Sequence, residues 1–187
     1  MTAPCLLRKT AILLCVLGLS GCLRYEQPPD TAILPAGAFH TNGDQDVAAL
    51  DAAALGFAHA IRGNPAKAAY SIAALDYLGG ELNRNPRWID MDPLTRQEML
   101  DWRQKIRAEV GISEAASSQA VVDTLLALAR AYGSGDAAAI QRLLAEPIFS
   151  LPPDQVAARL RDIPYSAALN RVTMSADNYL ESYDFAG

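Results

Sequence analysis

From residue 44 to the carboxyl end, apolar side chains recur at three- and four-residue spacing, the period of helices with one buried face. Val47, Leu50, Ala54, Phe57 and Ile61 mark a first helix, with Asp44 or Asp46 to cap it and Gly63 to end it. Asn64-Pro65 opens a second as N-cap and first-turn proline. Its stripe is Ala68, Ile72, Leu75 and Leu82, and Gly79-Gly80 weakens its last turns. Asp92-Pro93 opens a third, carrying Met99, Trp102, Ile106 and Val110 and stopping at Gly111. A fourth, capped by Ser117, is apolar on two faces: Val121, Leu125, Leu128 and Tyr132, then Val122, Leu126 and Ala129. Apolar residues on most sides predict a central position for it. Gly135-Asp136 begins a short fifth helix, and Pro152-Pro153 a sixth with Val156, Leu160 and Ile163. Pro164 restarts the chain into a seventh striped by Leu169, Val172, Ala176, Tyr179 and Tyr183. No segment alternates convincingly with the two-residue period of a strand. The pattern predicts an all-α fold, one compact domain of about seven helices over residues 44–187. A domain of that size buries close to two-thirds of its unfolded surface and needs neither metal nor disulfide.

Residues 22–43 show no helical period, and Pro28, Pro29 and Pro35 interrupt them. They read as a flexible tether that would reach about 70 Å fully extended. Ile33, Leu34 and Phe39 are apolar for a free linker. They are read as docking on the domain, with a ligand segment for a partner as the alternative.

Residues 1–21 carry a basic start, Arg8-Lys9, and an apolar run from Ala11 to Leu19 that is about half a membrane span. Leu19-Ser20-Gly21-Cys22 follows. This resembles the lipobox of bacterial lipoproteins. The resemblance implies a signal peptide over 1–21, cleavage between Gly21 and Cys22, a diacylglyceryl group on the Cys22 thiol and an N-acyl chain on its amine. Cys15 and Cys5 lack a small residue before them and fit the motif poorly. By the same resemblance, Leu23 rather than Asp after the cysteine implies the outer membrane; the periplasmic face is the expected side, which Leu23 does not itself decide. Two or more acyl chains anchor stably where one does not.

Charge narrows the function classes. The chain has 16 basic and 21 acidic residues, net −5; removal of 1–21 takes Arg8 and Lys9 and no acid, leaving 14 against 21, net −7. An acidic chain is a poor general nucleic-acid binder, which displaces counterions with excess Lys and Arg. It also lacks a polybasic patch for anionic headgroups.

Catalytic motifs are scarce. His40 and His59 are the only histidines, and the sequence holds no His-Glu-x-x-His, Cys-x-x-Cys or Gly-x-Ser-x-Gly. Cys22 would be acylated in the mature chain, and no metal set or cofactor motif is expected. Asp44 with Asp46, and Asp90 with Asp92, precede helices and read as caps. Glu98 and Asp101 share a helix face and are the pair an envelope hydrolase would use as acid and base. Arg96, Arg103 and Lys105 nearby favour a solvated, charge-mixed face instead.

Residues 81–107 hold both tryptophans and a cluster of arginines. Arg84, Arg87 and Trp88 fall in the connection between two helices, where function collects, and Trp and Arg are common interface anchors. These three are the candidate partner- or ligand-binding residues. The competing reading makes Trp88 and Trp102 core, with the arginines as surface charge or helix-end partners. The hairpins around Gly63-Asn64 and Gly135-Asp136 faintly resemble tetratricopeptide hairpins: Leu55, Gly56 and Ala68 fit that pattern, whereas Ala127, Leu128 and Ile140 depart from it.

The sequence thus predicts a non-catalytic accessory or scaffold lipoprotein, joined to the membrane by its lipid anchor and to an envelope protein partner. A helical binding module for a small or cell-wall ligand is the alternative, and an envelope hydrolase with paired carboxylates a second one.

Overall fold

The computed structural model describes residues 29–40 and 43–184, with side chains as far as Tyr179. The signal segment, Gly21 and Cys22 lie outside the described residues. Among the described residues the fold is all-α: α1 (Gln45–Phe57), α2 (Pro65–Arg84), α3 (Pro93–Val110), α4 (Ser118–Ser134), α5 (Ala137–Leu144), α6 (Pro153–Arg161) and α7 (Ala167–Asp184). None of these helices is long and apolar enough to cross a membrane.

The N-caps that the sequence predicts at Asn64, Asp92, Ser117 and Asp136 are in place because each is a local contact, whereas α1 ends at Phe57 and not at Gly63, because the chain leaves the helix to enter a short strand ladder at Ile61. Asn64 Oδ1 accepts from the Lys67 amide at 2.9 Å, and Asp92 Oδ2 from Thr95 at 3.0 Å. Ser117 and Asp136 cap α4 and α5 in the same way. Gly111 and Gly135, at φ 81° and 70°, close α3 and α4 in the left-handed conformation.

Three expectations change. First, Ile61 and Ile163 leave their predicted helices. β1 (Ile61–Arg62) and β2 (Asp162–Ile163) form a two-residue antiparallel ladder with Ile61 opposite Ile163, tying the α1–α2 and α6–α7 connections together. Both isoleucines are buried there.

Second, α2 rather than α4 is the central helix. Every residue from 71 to 80 is buried, and α2 packs on α1, α3, α4 and α6. Its small residues allow this. A Cβ on Gly79 would press into the Arg103 side chain, and one on Gly80 would collide with the Asp30 carbonyl oxygen and with Thr31. The glycines expected to weaken the helix are where neighbours approach its backbone too closely for a side chain.

Third, the stretch read as a flexible tether over 22–43 is seated on the helices from Asp30, with Leu34 and Phe39 docked as expected and Ile33 not. Ala32, Leu34, Ala38 and Phe39 are buried in the same core cluster as α2 and α4, while Ile33 is 83% exposed. Burial of Leu34 and Phe39 stabilises the docked segment by about 1.5–3 kcal/mol each, enough to offset part of its ordering entropy.

Candidate functional site

The structure does not bring Arg84, Arg87 and Trp88 together as an exposed surface. Trp88 is 1% exposed and packs against Tyr179 with ring centroids 6.1 Å apart. Its Nε1 has no acceptor among the described residues. Arg87 covers the Trp88 ring, with Cζ 4.6 Å from its centroid, and pairs with Asp44 at 2.5 Å and Asp46 at 3.1 Å. The hydrogen bond from Arg87 holds the Asp44 carboxyl below its ordinary value. Tyr77, from α2, donates to the other Asp46 oxygen. Arg87 therefore ties the start of α1 to the α2–α3 connection, while Arg84 is exposed. Trp102 is half-buried beneath Lys105, whose Nζ lies 4.5 Å from the ring centroid.

The carboxylates are engaged too. Asp44 and Asp92 cap α1 and α3. Glu98 pairs with Arg171 of α7 at 3.1 Å, and Asp101 accepts from Gln97 at 2.9 Å. Neither lines the two cavities described below.

A buried ionic cluster sits where α2, α3, the start of α4 and the N-terminal segment meet. Arg107 grips Asp76 with two nitrogens, Nε to Oδ2 at 2.5 Å and Nη2 to Oδ1 at 2.8 Å, both side chains being at most 3% exposed. Ser118 Oγ donates to Asp76 Oδ1 at 2.6 Å and accepts from Arg103 at 3.1 Å and Arg107 at 3.2 Å. Arg103 reaches on to Asp30, donating to its carbonyl oxygen at 2.8 Å and its carboxylate at 2.7 Å. The second Asp30 carboxylate oxygen accepts from the Ser118 amide at 2.6 Å. Burial lowers the Arg107 guanidinium, but the Asp76 partnership outweighs this and holds it above its ordinary value. The cluster fixes the N-terminal segment to the helical domain. One sequence signal could have revealed it. Arg103 and Arg107 fall on the buried stripe of α3 with Met99, Ile106 and Val110, and Asp76 sits inside the apolar run of α2.

The seated segment builds one wall of a cleft of about 680 Å³, whose other walls are the first turns of α2 and the later turns of α4. Lys67 and Tyr70 on α2 are three residues apart, and Leu126, Ala129 and Arg130 on α4 are spaced three and four apart, so each helix presents one face to it. Leu126, Ala129 and Tyr70 give the cleft an apolar side. Lys67, Arg130 and His40 are exposed at it, and no carboxylate among the described residues lines it. Lys67 and Arg130 have no ion pair among the described residues.

Aromatic contacts hold the segment wall. Phe39 meets Tyr70 edge to face at 5.1 Å, and His40 stacks on Tyr70 at 5.4 Å with a 24° interplanar angle. The backbone turns through φ 55° at Phe39 and 57° at His40, a left-handed pair that non-glycine residues rarely adopt. Such strain persists where surrounding contacts over-determine it, and it gathers at functional sites. Burial pushes the Tyr70 phenol above its ordinary value, so it remains a neutral hydroxyl. On the far side of Phe39 and Tyr70 lies a smaller cavity of about 390 Å³, lined by Asp44, Asp51, Val47 and Leu55. The aromatic pair thus divides a basic cleft from an acidic one. Sequence reading missed the basic cleft because its members span residues 36 to 133 and no single segment holds more than one of its cations.

No protein-family model, no characterised protein and no solved structure matches the chain, so its site is defined by its own geometry.

Proposed function

We propose that this chain is a lipid-anchored, non-catalytic binding protein of the bacterial cell envelope, held at the outer membrane through acylated Cys22 and offering the cleft beside residues 36–40 to a ligand. The cleft is the observation that carries the reading. Its volume of about 680 Å³ falls within the roughly 300–1,000 Å³ of small-molecule sites, and it pairs an apolar side with a few polar groups, as such sites do. With Trp88 in the core, the three residues that would have made a protein-binding surface no longer favour an accessory role. Ile89 and Leu94, each 64% exposed around the α2–α3 connection, favour that role as a second reading.

The seat of Asp30 supports a particular form of anchoring. Residues 23–29 alone separate Cys22 from Asp30, and seven residues span at most about 25–30 Å. The domain would ride close to the bilayer instead of swinging on the long tether that the sequence implies.

The test is fractionation of cells making the parent chain and Cys22→Ser, with intact-mass measurement and binding assays on the purified proteins. The parent should sediment with outer membranes, carry acyl mass on Cys22 and bind small ligands that shift the Tyr70 and Leu126 resonances. A Cys22→Ser protein that stays with the membrane, or a parent with no acyl mass, would remove the anchor. A cleft whose resonances no ligand moves would remove the binding role.

A further inference from the structure

Resting on the binding role just proposed, we infer that the cleft between residues 36–40, α2 and α4 is a site for a small organic anion, a carboxylate or phosphate carried on an apolar body. The lining of the cleft points to that class. Acids outnumber bases in this chain by 21 to 16. Five arginines are paired with acids: Arg62, Arg87, Arg103, Arg107 and Arg171. Other basic side chains are also without an ion pair among the described residues, but of these only Lys67 and Arg130 line this cleft, from different helices.

Two cations lining one cleft, with no carboxylate among its described lining residues, both attract an anion that enters it. An Arg and a Lys divide the work of holding it. The planar guanidinium of Arg130 can grip two oxygens at once, and the Lys67 ammonium acts as a point charge. Lys67 also stands in the first turn of α2, where the helix dipole adds to the attraction. The neutral Tyr70 ring, Leu126 and Ala129 supply the surface for the apolar body. His40 and Phe39 close the segment side through their contacts with Tyr70. Asp51, lining the smaller cavity behind the aromatic pair, disfavours an anion there, whereas Asp44 beside it is already paired with Arg87.

The experiment titrates the full-length protein, purified in an uncharged detergent, with phenyl phosphate, benzoate and octanoate, and with benzyl alcohol as an uncharged control. Calorimetry gives affinity and nuclear magnetic resonance locates the site. The ring anions stand for a soluble ligand and octanoate for a lipid-derived one, so their relative affinities separate the two sources. At least one anion should bind saturably at a single site, perturb the Tyr70 and Leu126 resonances, and bind about tenfold or more weakly to Lys67→Gln/Arg130→Gln. The double variant should keep the parent melting temperature. Arg142→Gln, which removes an exposed cation on α5 outside the cleft, should bind like the parent.

Absence of saturable binding by all three anions overturns the inference, as does unchanged affinity in the double variant. Benzyl alcohol binding as tightly as the anions would overturn the anionic class while leaving the cleft a ligand site. Cys22 fractionation reads the anchor independently of either result.

Discussion

The Asp30 carboxylate accepts a 2.6 Å hydrogen bond from the backbone amide of Ser118, a partner 88 positions along the chain. The same carboxylate takes a 2.7 Å bond from Arg103, whose guanidinium also holds the Ser118 hydroxyl. One residue ahead of the helices thus reads the junction of α3 and α4. Partial burial pushes the Asp30 carboxyl up, but the Ser118 amide and the Arg103 and Arg107 charges outweigh it, leaving the group below its ordinary value of 3.8.

That depression gives the pH dependence its sign. A carboxyl held low in the folded chain contributes stability above its unfolded value, and the contribution is lost as pH falls through the folded value. Between pH 5 and 8 the clamp is intact. Asp30→Asn should lower stability there by about 2 kcal/mol, since it weakens charged hydrogen bonds to a buried guanidinium. For a chain of this size that is a fall of about 4–8 °C in melting temperature. The gap between parent and variant should stay level from pH 8 to 5 and narrow below about pH 4. Thermal melts across that range, with hydrogen exchange at the Ser118 amide, check both parts. A gap that widens in acid would mean the carboxylate is not the stabilising form.

Asp76 and Asp162 are both ion-paired, yet their removal should differ greatly. Asp76→Ala strands Arg107 in the core and leaves Ser118 Oγ without its acceptor, a loss of about 3–5 kcal/mol. Arg62 and Asp162 are 70% and 61% exposed, so Asp162→Ala should cost under about 1 kcal/mol and less again in high salt. Urea unfolding of the two variants measures the contrast directly.

Trp88→Ala should destabilise by about 3–5 kcal/mol, the range for emptying a large buried aromatic site. Arg84→Ala should stay within about 0.5 kcal/mol, as for an exposed residue away from packing. Arg87→Ala falls between, because it uncovers Trp88 and frees Asp44 and Asp46 together. Chemical unfolding of all three distinguishes this ordering from that of a surface patch, in which all three would be mild.

The contrast between these residues also explains what the sequence made legible. Helix starts at Asn64, Asp92, Ser117 and Asp136 were readable because a cap and its amide lie within three residues. The place of Trp88 was not, because local composition cannot say whether a Trp-Arg pair faces solvent or α7. Ile61 continued the period of α1 and so looked helical. Its exit into β1 depends on Ile163, about a hundred residues away. The charge cluster left a partial trace in arginines at buried helix positions, whereas the cleft left none, since Lys67, Arg130 and His40 meet only through the packing of α2, α4 and the N-terminal segment.

The same substitution at two helical glycines should have opposite signs. Gly133, near the end of α4, is exposed, and a Cβ added there would meet nothing within 4 Å. Gly133→Ala should therefore stabilise by about 0.5–1 kcal/mol, by reducing the freedom of the unfolded chain and raising helix propensity. At Gly80 the same methyl meets the Asp30 carbonyl and Thr31, which are backbone and a short branched side chain with little room to yield. Gly80→Ala gains the same propensity but must lift the N-terminal segment, taking the Asp30 contacts with it, for a net loss of about 1–3 kcal/mol. Melting temperatures give the signs, and faster exchange of the Ser118 amide in Gly80→Ala alone would place the damage at the clamp. Equal stabilisation of both variants would mean that residues 30–31 do not cross α2 at this glycine.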